Sequence, residues 1–357
     1  MSLNELDQGK SEAFAGKMIG VLNNASVALM TSIGHQTGLF DALADLSPST
    51  SEQIARTANL DERYVREWLG TMATGRIVEH DPINETYFLP AEHAMWLTRE
   101  AGPDNMAAFM MFIPLLAGVE QEIIECFHNG GGVPYTAYPR FQRVMAEDSG
   151  QVHDTLLIDT ILPLVPGLVE RLQSGIRVAD VGCGRGHAIN LMARSFPNSR
   201  FTGFDFSAEG IAAGQAEAEG LNLSNAHFEL RDAATLDMSQ QYDFITAFDA
   251  IHDQAQPARV LLNIANALKP EGTFLMVDIA ASSSVSENLD HMVGPFLYTV
   301  STMHCMTVSL ALDGEGLGTV WGEQKALQML ADAGFNNVEV KHIESDPFNN
   351  YYISSKR

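Results

Sequence analysis

The sequence predicts an α/β protein with a parallel, helix-covered sheet in its C-terminal half and a mainly helical region before it. Three observations carry that expectation. Residues 176–281 alternate short β-branched runs with helical stretches, the rhythm of a parallel sheet. The first of these runs passes directly into Gly182-Cys183-Gly184-Arg185-Gly186 and then into a helix. Glycines there let the backbone approach a ligand, and a helix start offers free N–H groups. Residues 1–170 lack the alternation and read as helices.

Composition narrows the function classes. At 357 residues the chain has room for two cores, taking ~150 residues per domain. With 46% apolar and 18% charged residues it is globular rather than disordered. The net charge is −24, and the acid excess is spread evenly: ten basic against 23 acidic residues in 1–174, 11 against 22 in 175–357. Neither half offers a basic platform, so nucleic acid and anionic membranes are disfavoured as partners. Cys126, Cys183 and Cys305 are too few and too scattered for a disulfide framework or a zinc knuckle. The N-terminus carries early acids and no continuous apolar core, which is unlike a signal peptide. The longest apolar run, residues 106–119, is shorter than the ~18 residues of a membrane span and contains Pro114. A soluble, cytoplasmic protein is expected.

In chain order, residues 26–34 read as a helix, followed by Gly38-Leu39-Phe40. Residues 51–58 form a short helix opening on a capping Ser or Thr. After the turn 59–61, residues 62–74 place Tyr64, Val65, Trp68, Leu69 and Met72 at helical spacing. Residues 76–80 and 86–89, joined by the turn 81–85, read as a β-hairpin. Helix–turn–helix plus hairpin is a winged-helix module. Such a module either binds DNA or keeps the shape as a dimerisation or lid element. Charge favours the second: residues 47–98 hold four arginines, with Arg99 just beyond, against eight acids. Residues 107–127 read as a helix apolar nearly all round, which calls for burial or an interface. The loop 128–135 follows.

The C-terminal half begins with strand 176–181, the glycine loop and helix 187–196. A dinucleotide fingerprint wants Gly-x-Gly-x-x-Gly, but His187 stands where the third glycine belongs. Asp180 lies two residues before Gly182, where its carboxylate suits an ammonium group better than a pyrophosphate. Strand 200–204 ends at Asp205, 23 residues after Gly182, near the ~20 expected of an acid that holds ribose hydroxyls. Strand 227–230 ends near Asp232-Ala233, and a fourth strand spans 242–248. These acids recur at carboxyl ends of strands, where an open α/β sheet binds its ligand.

These residues resemble class I S-adenosylmethionine-dependent methyltransferases, over residues 150–357. Residues 178–186 look like their first motif, so the resemblance implies that Asp180, Gly182, Cys183 and Gly184 meet the methionine part of S-adenosyl-L-methionine. It also implies Asp205 on the ribose, Phe206 beside the adenine, Asp232 and Ala233 at the adenine amine and ring, and Phe248 in the same cofactor site. The fold implied is a Rossmann-like sheet of seven strands, completed by the hairpin of strands 337–343 and 351–355, which residues 344–350 join. The whole layout resembles winged-helix methyltransferases of the mycobacterial type, with residues 294–321 strengthening the likeness. It divides the chain into a winged-helix or dimerisation domain (1–100), a helical connector and pocket cover (101–170) and a cofactor-binding catalytic domain (171–357). A homodimer is expected, because the apolar helix around 106–119 and the N-terminal helices need cover.

Methyl transfer to a hydroxyl requires a positioned nucleophile and removal of its proton. Small-molecule O-methyltransferases of similar layout carry a His-Asp-Trp motif after the fourth strand. The chain matches it at His252-Asp253 and has Gln254 in place of Trp. Asp278, ending strand 272–278, matches the acid that orients the histidine. His252 is thus either the general base or a histidine that caps or packs at a helix start. His304 and Cys305 lie ~50 residues from His252 without ligand-pair spacing, so no metal is expected. Tyr135, Tyr138, Tyr298 and His304 read as pocket wall or buried core. The leading expectation is O-methylation of a small molecule. A non-catalytic S-adenosylmethionine-binding regulator is the alternative, and an NAD-dependent oxidoreductase suits Asp180 and the glycine spacing poorly.

Overall fold

The structure is a computed structural model and describes residues 7–356. It divides into two compact units between Leu115 and Leu116.

In the first unit α1 (Gln8–Thr37) is capped by Asp7, whose carboxylate accepts the Lys10 N–H, and stops at Gly38 (φ 73°). It is far longer than the expected 26–34, because Gly9, Gly16 and Gly20 weaken the sequence signal without breaking the helix. α2 (Leu39–Ala44) follows. α3 (Ser51–Ala58) opens on a Thr50–Gln53 capping box, and α4 (Glu62–Thr74) on Asp61, which accepts the N–H groups of Arg63 and Tyr64. β1 (Glu79–Asp81) and β2 (Thr86–Phe88) pair antiparallel, with His80 opposite Tyr87. α5 (Ala91–Leu97) and α6 (Met106–Phe109) complete the unit. Its core gathers Phe40, Ile54, Val65, Trp68, Leu69 and Met72. The Trp68 indole N–H donates to the Met30 carbonyl at 2.8 Å, tying α4 to α1. Phe14, Met18 and Leu22, one turn apart on α1, are 48–67% exposed. By length and composition alone α1 could cross a bilayer, although its apolar residues are interrupted by polar ones where those of 106–119 are continuous.

The expected single helix 107–127 is three: α6, α7 (Phe112–Ala117) and α8 (Glu120–Asn129). Pro114 lacks an N–H and falls in the first turn of α7, where none is needed. Ala107, Met111, Leu115, Leu116 and Val119 are buried within the chain, so this segment does not itself require a partner.

The second unit is a seven-stranded sheet in the order β5-β4-β3-β6-β7-β9-β8. It agrees with the expected α/β architecture. β3 (Arg177–Val181), β4 (Arg200–Asp205), β5 (Ala226–Leu230), β6 (Tyr242–Phe248) and β7 (Leu268–Ile279) are parallel. β9 (Asp346–Ser355) runs antiparallel between β7 and β8 (Asn337–Ile343). β9 starts at Asp346 rather than 351, leaving only Glu344-Ser345 as the turn, because Asn349 and Asn350, weak strand formers, are held by pairing with Ile279 and Asp278 of β7. Two cores sandwich the sheet. One holds Ile245, Phe274 and Phe335, the other Leu157, Phe201, Phe244 and Tyr351. The covering helices are α9 (Phe141–Val152), α10 (Leu168–Ser174), α11 (His187–Ser195), α12 (Ala208–Gly220), α13 (Pro257–Ala267), α14 (Gly294–Val300), α15 (Met306–Leu310) and α16 (Gly322–Asp332). π-helical turns extend α9 (His153–Ile161) and join α14 to α15 (Ser301–Cys305). Strand order reverses between β3 and β6, so the ligand crevice of this topology lies at their carboxyl ends.

Candidate active site

The glycine loop leaves β3 with Gly182, Gly184 and Gly186 all at positive φ. Gly182 and Cys183 donate their N–H groups to the Phe204 carbonyl, at 2.8 and 3.1 Å. A Cβ on Gly182 would lie 2.3 Å from Ala250, so the loop passes too close to the β6 exit for any side chain. Asp205, at the end of β4, accepts the Gly184 N–H on Oδ2 (2.9 Å) and the Ser207 N–H on Oδ1 (2.7 Å). Asp180 is 2% exposed and accepts the Thr246 hydroxyl at 2.7 Å. Burial pushes the Asp180 carboxyl up to about 7, and it raises Asp205 against the pull of those N–H groups. Two neighbouring buried acids thus mark the crevice.

Beside them a cavity of about 170 Å³ is lined by Tyr135, Phe206, Asp232, Ala234, Asp253 and Gln254, among others. Phe206 is 47% exposed and meets Tyr135 edge-on at 5.2 Å. Asp232 caps a short 3-10 turn through the Ala234 N–H, while Ala233 is buried with its carbonyl on Asn263. Burial raises Asp253 to about 6. Phe248 instead packs edge-on against His153 at 4.8 Å and does not line this cavity.

The loop after β6 turns at Asp249, whose φ of 49° is unusual for a residue with a side chain. It delivers His252, 4% exposed, to Asp278, 0% exposed, at the end of β7. His252 Nδ1 and Asp278 Oδ1 are 2.8 Å apart. A carboxylate only accepts, so Nδ1 carries a proton, and the Cys305 thiol is the ring's other hydrogen-bonding neighbour. Burial disfavours the imidazolium, yet the Asp278 charge and the Cys305 thiol hold the His252 pKa well above its ordinary value. The Trp321 indole N–H also donates to Asp278 Oδ1, at 3.0 Å.

Tyr135, Tyr138, Phe141 and His304 form an aromatic cluster. His304 stacks on Phe141 at 3.7 Å and 7°, and Tyr138 donates its hydroxyl to the Met303 carbonyl. Both His304 ring nitrogens are buried and have no hydrogen-bond partner among the described residues. Burial drives its pKa down to about 3, so the ring is neutral. Tyr298 lies apart from this cluster, exposed, with its hydroxyl accepting the Asn288 side-chain N–H. The structure therefore brings His252 and Asp278 together and places Asp180, Asp205 and Asp232 at neighbouring strand ends. Sequence reasoning missed the part of Trp321, which is 43 residues from Asp278, and the unpaired state of His304. A buried tryptophan with a polar edge was the only available hint for the first. Among the described residues no His, Cys, Asp and Glu cluster could hold a metal.

Residues 25–99 match the Rv2258c-like winged HTH domain, and residues 172–334 match a methyltransferase domain. The chain is 27% identical, over 44% of its length and 52% of the relative's, to a malonyl-[acyl-carrier protein] O-methyltransferase of Bacillus cereus. It spans about half or less of the length of the curated relatives it matches. Among solved structures, mitomycin 7-O-methyltransferase MmcR superposes with a TM-score of 0.71 at 17% identity, covering 97% of this chain and 99% of that one. Human N-acetylserotonin methyltransferase, solved in complex with S-adenosylmethionine, gives 0.68 at 14% identity, covering 99% of both. These structural likenesses establish the fold. The chain joins a winged helix-turn-helix domain of the Rv2258c-like kind to a methyltransferase domain with the Rossmann-like fold of S-adenosylmethionine-dependent O-methyltransferases.

Proposed function

We propose that this protein transfers a methyl group from S-adenosylmethionine to a hydroxyl of a small molecule, with His252 as general base. The observation that carries the reading is the buried His252–Asp278 pair at the carboxyl edge of a sheet whose neighbouring strands end in unneutralised acids. That donor set fits the cofactor: Asp180 suits its ammonium, and Asp205 retains lone pairs for ribose hydroxyls. The same acids would repel a pyrophosphate. Gly182, Cys183 and Gly184 would line the methionine part, with Phe206, Asp232 and Ala233 at the adenine and Phe248 in support behind them.

When bound, the cofactor supplies an electrophilic methyl on a sulfonium. Nε2 of His252 takes the acceptor's hydroxyl proton, and Asp278 holds the resulting imidazolium. General-base assistance of this kind is worth ~10²–10⁴-fold. Residues 101–170 serve as the connector and cover between a winged-helix domain (1–100) and the catalytic domain (171–357). Tyr135, which lines the cavity from that connector, supports this part.

The winged helix is read as a dimerisation element rather than a DNA reader. On α4, Arg63 pairs with Glu67 and Arg66 with Glu62, which leaves no cationic stripe for phosphates. The exposed apolar face of α1 supports a homodimer. An acceptor screen with methyl-labelled S-adenosylmethionine tests the reading. Label transfer to a small hydroxylated molecule, lost in His252→Ala with S-adenosylhomocysteine affinity retained, is the expected result. Equal transfer in His252→Ala would remove the base from the scheme.

A further inference from the structure

The carboxylate that faces His252 is held in an uneven way. Three donors converge on Asp278 Oδ1: His252 Nδ1 at 2.8 Å, the Ile279 backbone N–H at 2.9 Å and the Trp321 indole N–H at 3.0 Å. Oδ2 is buried and has no partner among the described residues. The Ile279 and Trp321 donors are both anchored, so together they locate one oxygen atom. Ile279 belongs to β7 itself. Trp321, 5% exposed, is fastened to the segment that continues from β7: its carbonyl accepts the Ser283 hydroxyl at 2.6 Å, and the Glu323 N–H reaches the Ala281 carbonyl at 2.9 Å. Between them Gly322 has φ 79°, and a Cβ there would lie 2.1 Å from the Ser283 nitrogen. Only glycine lets the chain pass this close, and the passage sets where the indole points.

We propose that Trp321 is a positioning residue of the active site: its indole N–H fixes Asp278 Oδ1 against His252 Nδ1 and keeps the imidazole available as a base. The proposal deepens the reading of His252 as general base and rests on it. The electrostatic reason is a comparison of two states. With His252 neutral, the buried pair carries one uncompensated negative charge. With His252 protonated, it carries none. An N–H aimed at the carboxylate stabilises the first state more than the second, so it favours release of the proton. The other groups facing the pair do not substitute for it. Cys305 and His304 approach His252 from the π-helical turn, Asp253 from its own loop, and Tyr352 faces Asp278 from β9.

The test is an NMR titration of the full chain labelled with 15N at histidine and tryptophan. In Trp321→Phe, with folding checked by thermal melting, the His252 midpoint rises by about one pH unit. In the unsubstituted protein the Trp321 indole resonance moves with the same midpoint as His252, a measurement that decides the matter if Trp321→Phe does not fold. An unchanged His252 midpoint in folded Trp321→Phe, or an indole resonance indifferent to the His252 titration, overturns the proposal. With an acceptor in hand, the acidic limb of the kcat profile moves up by the same unit in Trp321→Phe while KM stays put. A shifted midpoint with an unshifted limb would uphold the hold of Trp321 on Asp278 and refute the base role of His252 instead.

Discussion

Asp205 illustrates what a single side chain contributes. Its oxygens accept two loop N–H groups, so it both shapes the glycine loop and presents charge to the crevice. Hydrogen bonds to a charged group are worth ~1.5–3 kcal/mol each, so Asp205→Ala should weaken S-adenosylhomocysteine binding by about tenfold or more, read by calorimetry. His252 carries the sign of the pH dependence. A base must be neutral to accept a proton, and Asp278 holds the His252 pKa well above its ordinary value. Turnover should therefore rise with pH through that elevated value and fall below it. A profile flat from acid to alkaline pH would contradict the assignment. Much at this scale was legible in sequence. Asp180 and Asp205 stand at strand ends with a glycine two residues away, Asp232 stands just after a strand, and His252-Asp253 follows the fourth strand. Trp321 and His304 did not, because their roles depend on contacts made across tens of residues and on packing that no local pattern encodes.

Elements were legible where punctuation is local. α4, bounded by Asp61 and Gly75, spans the residues expected of it, and β6 does too. α1 and the α6–α7–α8 break were misjudged, since glycines and Pro114 act according to where the turns fall. Gly34 shows that one glycine in α1 has a packing reason: a Cβ there would lie 2.5 Å from the Trp68 ring and 2.8 Å from Phe40. Gly34→Ala should lower the stability of the first unit by ~1–3 kcal/mol despite better helix propensity, measured by denaturant unfolding. In the second unit His187 bridges α11, α12 and the π-helical turn, through Glu217 at 2.7 Å and Asp154 at 2.9 Å. Burial opposes its charge, but the two carboxylates raise its pKa above the ordinary value of 6.5. A folded-state pKa raised in this way gives stability that is fully present below 6.5 and lost as pH rises through the raised value. The melting-temperature gap between the unsubstituted protein and His187→Gln should therefore close with rising pH across that window.

At the scale of the whole molecule, the chain carries −24 net charge over two units, and its exposed large apolar side chains include Phe14, Ile19 and Leu22 of α1. Covering that face is the reason to expect two copies, and light scattering at micromolar concentration should return twice the chain mass. A monomer would leave the helix without its proposed partner. The architecture of the second unit was legible because the parallel strands alternate with helices along the chain, β5 alone passing to β6 through a short 3-10 turn, whereas the cavity wall draws on Tyr135, Val308 and Leu312, far apart in sequence. The crevice sets acids suited to a cation and to hydroxyls beside glycines that admit a close ligand. Calorimetric titration with S-adenosylhomocysteine, alongside NAD, tests this most directly. The account predicts one S-adenosylhomocysteine bound per chain, weakened in Asp205→Ala, retained in His252→Ala, and no heat with NAD. Binding of NAD, or no binding of S-adenosylhomocysteine by the folded protein, would contradict it.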